Sequence, residues 1–409
     1  MHKINQLLSN KYISYAVGIA LIYGIIATQM PLEHNTVYNS LIITIAVYSG
    51  CIIILPRVTK FLLVDKKLYI LPVMLSLYGI AIIAIVLLRI DYSRPTLIYG
   101  FCIVLIWLFV STFISKTEST LKLSAINNFD HTLLNGNHHI EIQIIEAPYQ
   151  FNQVQQGLVV NLHKKLTPEQ EKFIADCSIN NIAVYHSESI KEMIEGKVQT
   201  KHLSESSLGS LRTNPSYNLI KRIWESVIIL VSLPFLLPLM ALVSIAIKIE
   251  SKGPVFYTQS RIGQGGKSFK IYKFRSMEVA CPKAGSKFAT EEKERVTKIG
   301  KFIRQTRIDE IPQFYNVLKG EMALIGPRPE QEQFVKNFEQ EIPFYGYRHM
   351  VKPGITGWAQ TVQGYTADTD STREKLAHDL YYIKHLSFWL DVNIFFKTLK
   401  TMLTGFGAK

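Results

Sequence analysis

Cysteine is scarce in this sequence, which contains only four cysteines among 409 residues. These four, Cys51, Cys102, Cys177 and Cys281, lie far apart, and the first two fall inside apolar runs. Their spacing matches neither a zinc site nor a disulfide framework, so we expect isolated buried thiols. The chain also lacks zinc-finger, helix-turn-helix and RNP-like patterns, and we therefore expect no nucleic acid among its partners, although its net charge is +13.

Charged residues are missing from four long stretches near the amino terminus. No Asp, Glu, Lys or Arg occurs in Tyr12 to Leu32, Asn35 to Pro56, Leu68 to Leu88 or Pro95 to Ser115. Each stretch can cross a hydrocarbon core of about 30 Å as a helix. A buried helix of a soluble protein explains any one of them, but four in succession predict four transmembrane helices within residues 1–116. The first stretch is too long for a cleavable signal peptide and lacks a cleavage motif, so we expect none.

Lysine and arginine are distributed unevenly among the connections between these stretches. The first connection contains Glu33 and no basic residue, whereas the second contains Arg57, Lys60, Lys66 and Lys67. Basic residues stay preferentially on the cytoplasmic side of a membrane. We therefore expect the amino terminus, the second connection and everything after Ser115 to be cytoplasmic.

A polar region over residues 117–214 alternates between strand-like and helix-like patterns. Gly157 to Leu162 and Ile182 to Tyr185 read as short strands, and helices are expected from Thr167 and over Ser187 to Gly196. The pattern predicts a small cytoplasmic α/β, Rossmann-like domain. Because this region lacks G-x-G-x-x-G, we predict a structural or regulatory role for it rather than nucleotide binding.

A fifth charge-free stretch, from Ser226 to Ile247, is also long enough to span a membrane. Basic residues flank both of its ends, which favours placing both ends in the cytoplasm. Pro234 interrupts the backbone hydrogen bonds near the middle, and Ser232 can bond a carbonyl that the bend frees. We predict a re-entrant helix over residues 221–248 that breaks near Pro234. The alternative is an ordinary, kinked fifth span, which would place the rest of the chain outside.

Two clusters rich in basic residues follow. The first contains Arg261, Lys267, Lys270, Lys273 and Arg275 among several glycines, and the second contains Lys298, Lys301, Arg304 and Arg307. Basic side chains and exposed amides suit a diphosphate, although a solvated basic loop is the other reading of the first cluster. Arg328 stands between two prolines that would fix its backbone. It is either a rigid phosphate ligand or part of a structural turn.

The second cluster leads directly into two carboxylates, Asp309 and Glu310. Pro312 favours the first turn of a helix and Gly320 is suited to end it, so both carboxylates would lie near a helix amino terminus. Adjacent side chains point in different directions and so would have different tasks. One carboxylate could attack a phosphorus atom, and the other could hold Mg²⁺, which prefers carboxylate and phosphate oxygens.

These clusters resemble the motifs of the bacterial sugar transferase family, also called monotopic phosphoglycosyl transferases. The resemblance runs from about residue 221 to the end, and its elements are Lys221-Arg222, GPVFYTQSRIG, FKIYKFRSM, RIDEIPQFYNVLKGEM, IGPRPE and PGITGWAQ. It implies a mostly α catalytic domain over residues 215–409. The four spans and the small domain resemble the long subgroup of polyprenyl-phosphate hexose-1-phosphate transferases, which start exopolysaccharide, capsule or O-antigen assembly.

The resemblance implies a two-step reaction at the cytoplasmic face of a bacterial inner membrane. Asp309 would attack the β-phosphate of a UDP-sugar and expel UMP, and polyprenyl phosphate would then take the phosphosugar from the enzyme. Glu310 matches the magnesium-associated position, and Arg304, five residues before the nucleophile, matches an active-site Arg. Lys273, Arg275 and Arg328 match basic positions near the phosphates, where Arg304 is also expected to bind substrate. Membrane lipids are expected partners, and the architecture is compatible with a homodimer.

Two alternatives remain open at the level of sequence. A polytopic phosphotransferase would join the lipid phosphate to the donor directly, but its acids would lie on loops between many spans. A non-catalytic membrane scaffold or regulator of polysaccharide assembly would bind without turnover, but the intact Asp309, Glu310 and Arg328 argue against a decayed site.

Overall fold

The computed structural model describes residues 11–31, 33–58, 67–115, 121–126, 140–162, 164–198, 215–278, 296–363 and 369–404. The chain forms two compact units, Met1–Glu195 and Gly196–Lys409. The described residues are mostly helical, with several long apolar helices in the amino-terminal part and a small parallel sheet. The bounds of the three predicted domains stay predictions, and the boundaries near residues 116 and 214 both fall at residues outside the described ranges.

The first unit begins with four long apolar helices. These are α1 (Lys11–Gln29), α2 (Asn35–Val58), α3 (Lys67–Leu88) and α4 (Arg94–Ser115). All four are long and apolar enough to cross a membrane, and they lie within a few residues of the four charge-free stretches. Polar contacts join neighbouring helices: the Trp107 indole donates to the Tyr48 hydroxyl at 3.0 Å, and the Tyr15 and Ser49 hydroxyls lie 3.0 Å apart.

A four-stranded parallel sheet follows in the same unit, with strand order β2-β1-β3-β4. Its elements are β1 (Leu121–Ile126), β2 (Ile140–Ile145), β3 (Leu158–Val160), α5 (Pro168–Ile179), β4 (Val184–His186) and α6 (Ser187–Glu195). The last four occur where the sequence predicted strands and helices, and Thr167 with Gln170 forms the capping box of α5. The strands β1 and β2 were missed, although both alternate apolar and polar residues.

The second unit surrounds a two-stranded antiparallel hairpin with helices. Its elements are α7 (Pro215–Glu250), β5 (Phe256–Ile262), β6 (Ser268–Phe274), α8 (Lys298–Gln305), a 3-10 helix (Ile308–Gln313), α9 (Phe314–Lys319), β7 (Ala323–Ile325), α10 (Glu332–Glu341), a 3-10 helix (Tyr345–Met350), β8 (Gly354–Thr356), α11 (Trp358–Val362), α12 (Thr369–Lys384) and α13 (Phe388–Thr404). The short strands β7 and β8 pair in parallel.

Helix α7 contains the fifth charge-free stretch and is a single continuous helix that includes Pro234 and Pro238. The Ser232 hydroxyl donates to the Ile229 carbonyl at 2.7 Å. Ile229 packs with Phe269 and Ile271 of β6, and Ile247 packs with Phe274 at the end of the same strand. No residue in 230–242 is buried. The helix is therefore fastened to its own unit near both ends, and its apolar middle is exposed.

Candidate active site

The two adjacent carboxylates lie in a tight turn beside the hairpin. Arg307 adopts a left-handed conformation, with φ of 58°, and opens the 3-10 helix that contains Asp309 and Glu310. Helix α9 follows and ends at Gly320, whose φ of 85° gives the expected glycine cap. Asp309 and Glu310 are only 9% and 5% exposed. The predicted helix start is thus a 3-10 turn that leads into α9, with both carboxylates in its first turn.

Asn316 fixes this turn against strand β6. Its side-chain amide donates to the Lys270 carbonyl at 2.8 Å and accepts from the Tyr272 amide at 3.3 Å, as a neighbouring strand would. A third bond runs from the same amide group to Glu321 at 2.8 Å. These contacts set the position of the next strand residue, Lys273, relative to the carboxylates.

The Glu310 carboxylate is held by cations from two other segments. Its Oε1 accepts from the Lys273 ammonium at 2.8 Å and from the Arg328 guanidinium at 3.1 Å, and Arg307 lies 3.7 Å from Oε2. Burial alone would raise the pKa of Glu310, but Lys273, Arg328 and Arg307 hold it well below its usual range. Glu310 is therefore a fixed anion at neutral pH.

Asp309 differs from its neighbour in that, within the described chain, its carboxylate has no hydrogen bond or ion pair. Burial, reinforced by the negative charge of Glu310, raises the pKa of Asp309 to about 6, although Lys273, Arg304 and Arg328 oppose the shift. The carboxylate is thus ionised near neutral pH, and among the described residues no hydrogen bond or ion pair lowers its nucleophilicity. An ionised, unpaired and partly desolvated carboxylate is suited to nucleophilic attack.

Arg328 lies on a loop whose backbone carbonyls are hydrogen-bonded to several other segments. Four successive carbonyls accept hydrogen bonds: Pro327 from the Gly354 amide at 2.9 Å, Arg328 from the Arg348 guanidinium at 2.9 Å, Pro329 from the Arg261 guanidinium at 3.2 Å and Glu330 from the Ile262 amide at 3.0 Å. The loop is therefore a structural turn, and the role of Arg328 as a phosphate ligand stays a prediction. The turn points a pre-oriented guanidinium at Glu310.

Arg304 reaches the site from the last turn of α8. Its Nε donates to the Ser276 hydroxyl at 2.8 Å, and its charge acts on Asp309. Helix α8 lies close to this segment because Gly300 has no side chain: a Cβ there would lie 2.0 Å from the Ser276 carbonyl oxygen. Ser276 was not singled out by its sequence context.

Two of the predicted phosphate ligands lie in other surroundings. Arg275 is 7% exposed, and its guanidinium donates to the Ser251 and Lys252 carbonyls just after α7, at 2.8 and 2.9 Å. Arg261 donates to Gln259 at 2.8 Å and lies 3.6 Å from Glu330. The structure therefore brings Lys273, Arg304 and Arg328 to the carboxylates, whereas Arg275 fastens the end of α7 and Arg261 supports the Arg328 loop.

A buried charged cluster anchors the start of α7 and was not predicted. The Lys221 ammonium contacts the Asp391 carboxylate, lies 3.2 Å from Glu225 and donates to the Tyr382 hydroxyl at 3.2 Å. Glu225 in turn accepts from the Ile325 amide of β7 at 3.3 Å. No local sequence signal reveals these contacts, because Asp391 lies 170 residues from Lys221.

The donor set at the turn suits Mg²⁺. Within the described ranges, no group of three or more His, Cys, Asp or Glu side chains could hold a metal. Mg²⁺ in phosphoryl-transfer sites, however, commonly uses one or two carboxylates and takes its remaining ligands from substrate phosphates and water. The cations close to Glu310 both bind Oε1, and Arg307 stays 3.7 Å from Oε2. Glu310 Oε2 would therefore fit a metal whose other ligands are substrate phosphate and water oxygens.

Comparison with known proteins places this site in a family. The profile described as "Bacterial sugar transferase" matches residues 216–405. A UDP-N-acetylgalactosamine-undecaprenyl-phosphate N-acetylgalactosaminephosphotransferase of Aeromonas hydrophila is 44% identical over 358 residues, which cover 87% of this chain and 85% of that protein. The chain belongs to the bacterial sugar transferase family. Together with the apolar helices, this identifies a membrane protein.

Two further relatives match less than half of this chain. A UDP-glucose:undecaprenyl-phosphate glucose-1-phosphate transferase of Escherichia coli (strain K12) is 41% identical over 184 residues, or 44% of this chain and 39% of that protein. The galactosyl transferase CpsE of Streptococcus agalactiae serotype III is 42% identical over 173 residues, or 38% of this chain and 36% of that protein. These names differ in the sugar.

Proposed function

We propose that this protein transfers a sugar 1-phosphate from a UDP-sugar to undecaprenyl phosphate and releases UMP. The observation that carries the proposal is the contrast between the two carboxylates: Glu310 is fixed by Lys273 and Arg328, and Asp309 is buried and unpaired beside the same cations. The relatives named as undecaprenyl-phosphate sugar phosphotransferases support it. We place the reaction at the cytoplasmic face of a bacterial inner membrane, as the first step in building a surface polysaccharide.

The first step forms a covalent phosphosugar on the enzyme. An Asp309 oxygen attacks the β-phosphorus of the UDP-sugar, and the bond from that phosphorus to the bridging oxygen breaks. The bridging oxygen leaves with its electron pair as part of UMP, so the sugar phosphate remains on Asp309 as an acyl phosphate. Lys273, Arg304 and Arg328 surround the carboxylate and stabilise the charge that builds up on the phosphoryl and leaving oxygens.

The second step regenerates the carboxylate. A phosphate oxygen of undecaprenyl phosphate attacks the same phosphorus atom, and the bond to Asp309 breaks with its electrons returning to the carboxylate. The product is undecaprenyl diphosphosugar. Glu310 would hold Mg²⁺, which when bound supplies neutralisation of the diphosphate charge.

Helix α7 supports a re-entrant arrangement in the membrane. As a straight helix, it would separate Lys221 from Ile247 by about 39 Å, more than the thickness of a hydrocarbon core of roughly 30 Å. A helix that crossed the membrane would bring only one end to a soluble domain on one side. Both ends, however, contact the same unit, Lys221 through Asp391 and Ile247 through Phe274 and Ile303. We propose that the exposed middle bends near Pro234 and enters one leaflet.

Cysteine labelling tests this arrangement. We expect cysteines introduced as Ser216→Cys and Lys252→Cys, with the four natural cysteines replaced by alanine, to react with an impermeant maleimide from the cytoplasmic side only. Both positions are exposed and flank the apolar part of α7. Inside-out vesicles should therefore label both, and spheroplasts neither.

Glu33→Cys is the control, because the connection after α1 is expected on the outer side and should be labelled in spheroplasts. If Ser216→Cys and Lys252→Cys were labelled from opposite sides, α7 would be an ordinary fifth span. The proposed location of the active site would then be wrong.

The donor is tested with a panel of UDP-sugars. A relative that matches 87% of this chain is named for N-acetylgalactosamine, so we propose UDP-N-acetylgalactosamine as the preferred donor. Protein in nanodiscs with Mg²⁺ and undecaprenyl phosphate should release UMP and form a lipid-linked sugar with this donor faster than with UDP-glucose or UDP-galactose. Faster turnover of another donor would change only the proposed identity of the sugar and would leave the proposed reaction as it stands. No UMP and no lipid product with any donor would favour the non-catalytic scaffold.

A further inference from the structure

Arg348 is buried behind the active-site loop and takes no part in the steps described above. It lies in the 3-10 helix Tyr345–Met350 and is 3% exposed. Its guanidinium donates to the Arg328 carbonyl at 2.9 Å and to the Tyr345 hydroxyl at 2.6 Å, and it lies 2.9 Å from the Asp379 carboxylate of α12. One planar group thus joins helix α12 to the backbone of the residue that binds Glu310.

A second ion pair joins the same helix face to the same loop. Lys375 lies one turn before Asp379, and its ammonium is 2.5 Å from the Glu330 carboxylate. Arg261 of β5 lies 3.6 Å from the same carboxylate. Burial alone would raise the pKa of Glu330, but Lys375, Arg348 and Arg261 lower it to about 2, so it remains charged. The loop is therefore fastened to α12 on both sides of Pro329.

We infer that Arg348 is a positioning residue for transfer, which with Asp379 holds the Arg328 backbone so that the Arg328 guanidinium meets Glu310 and the donor phosphates. This inference rests on the proposed function. The chain of contacts is continuous, from Asp379 through the Arg348 guanidinium to the Arg328 carbonyl, and from the Arg328 side chain to Glu310 at 3.1 Å.

A buried ion pair is weak evidence for a role in stability. The desolvation of both charges offsets much of their attraction, and apolar residues of similar volume often replace such a pair without loss of stability. The pair does orient the hydrogen bond to the Arg328 carbonyl, because the donors of a guanidinium have a fixed planar geometry. An apolar pair fills the same volume but leaves the Arg328 carbonyl without its donor. Stability and catalysis should therefore respond differently to the same substitution.

The test is a double-mutant cycle between this pair and Arg328. The paired substitution Arg348→Met with Asp379→Leu removes both charges together and should lower the melting temperature only modestly, the cost of leaving the Arg328 carbonyl and the Tyr345 hydroxyl without a donor. It should lower kcat for UMP release by about 10- to 100-fold, the effect of displacing a group about 1 Å from its productive position. The KM for the UDP-sugar should change much less. Arg348→Lys keeps one donor and should show an intermediate kcat.

The decisive comparison uses Arg328→Met as the background. If Arg348 acts through Arg328, adding the paired substitution to Arg328→Met should cause little further loss of kcat. Lys336→Ala removes a surface ion pair with Glu332 on α10 and should leave kcat unchanged. A full additional loss in the Arg328→Met background, or an unchanged kcat for the folded paired variant, would overturn the inference. A wild type that releases no UMP would contradict the proposed function itself.

Discussion

Replacing Asp309 with asparagine is expected to lower the rate of sugar-phosphate transfer by at least about 1,000-fold, because the neutral amide cannot serve as the nucleophile. The substitution preserves the size and shape of the side chain. No hydrogen bond or ion pair of the Asp309 carboxylate is lost within the described chain. The loss should therefore appear in kcat, with little change in the affinity for the donor.

The same substitution is expected to stabilise the protein. The folded state holds a proton on Asp309 up to about pH 6, whereas the unfolded chain releases it near the usual aspartate value. The contribution of Asp309 to stability is therefore highest at acid pH and falls as the pH rises through about 6. A neutral asparagine side chain does not have to be ionised in the buried site. The free energy of unfolding of Asp309→Asn should therefore exceed that of the wild type by about 1 to 3 kcal/mol above pH 6 and by almost nothing near pH 4.

Thermal unfolding between pH 4 and pH 8, with chelator and without donor, measures this difference. The stabilities of the wild type and Asp309→Asn should separate as the pH rises from 4 to about 6, and the difference should then level off. Equal stability of the two proteins at every pH would show that burial does not raise the pKa of Asp309. An asparagine variant with wild-type transfer would remove Asp309 from the chemistry altogether.

Replacing the neighbouring Glu310 with glutamine is expected to act in the opposite sense on stability. Glu310 is charged in the folded state because Lys273 and Arg328 bind it, despite the opposing effect of burial. Its contribution to stability is present above the unfolded pKa and is lost as the pH falls. Removing the charge leaves two half-buried cations without their carboxylate, and we expect a loss of about 1 to 3 kcal/mol at pH 7.

Glu310→Gln should also lower transfer by about 100- to 1,000-fold, because it disturbs Lys273 and Arg328 and removes a proposed Mg²⁺ ligand. Asp309→Asn and Glu310→Gln are matched controls for one another. Each neutralises one carboxylate without changing its shape, and both should inactivate while their melting temperatures move in opposite directions at pH 7. Stabilisation by Glu310→Gln would mean that the ion pairs with Lys273 and Arg328 do not hold the site together.

Most of the elements that were predicted correctly from the sequence were recognised from residue patterns within short segments. The absence of charge located α1 to α4, because a long apolar run needs no distant partner to be recognised. Thr167 with Gln170 located the start of α5, and Gly320 located the end of α9. Each of these depends on residues within one or two turns. The alternation in β1 and β2 was equally local, and both strands could have been found.

Contacts between distant segments could not be predicted in the same way. Arg275 and Lys273 are two positions apart on the same motif, yet one guanidinium binds the end of α7 and the other side chain binds Glu310. Arg348 and Asn316 gave no sign of their tasks, because their partners are set by how separate elements pack. A basic motif therefore indicates a phosphate site without showing which of its cations reach it.

Isotope exchange in the absence of lipid tests the central claim most directly. If Asp309 forms a covalent phosphosugar, labelled UMP should be incorporated into the UDP-sugar by wild-type protein with Mg²⁺ and without undecaprenyl phosphate. Asp309→Asn should show no exchange. Transfer to lipid without any exchange in its absence, or exchange that persists in Asp309→Asn, would contradict the covalent two-step account and favour direct attack by the lipid phosphate.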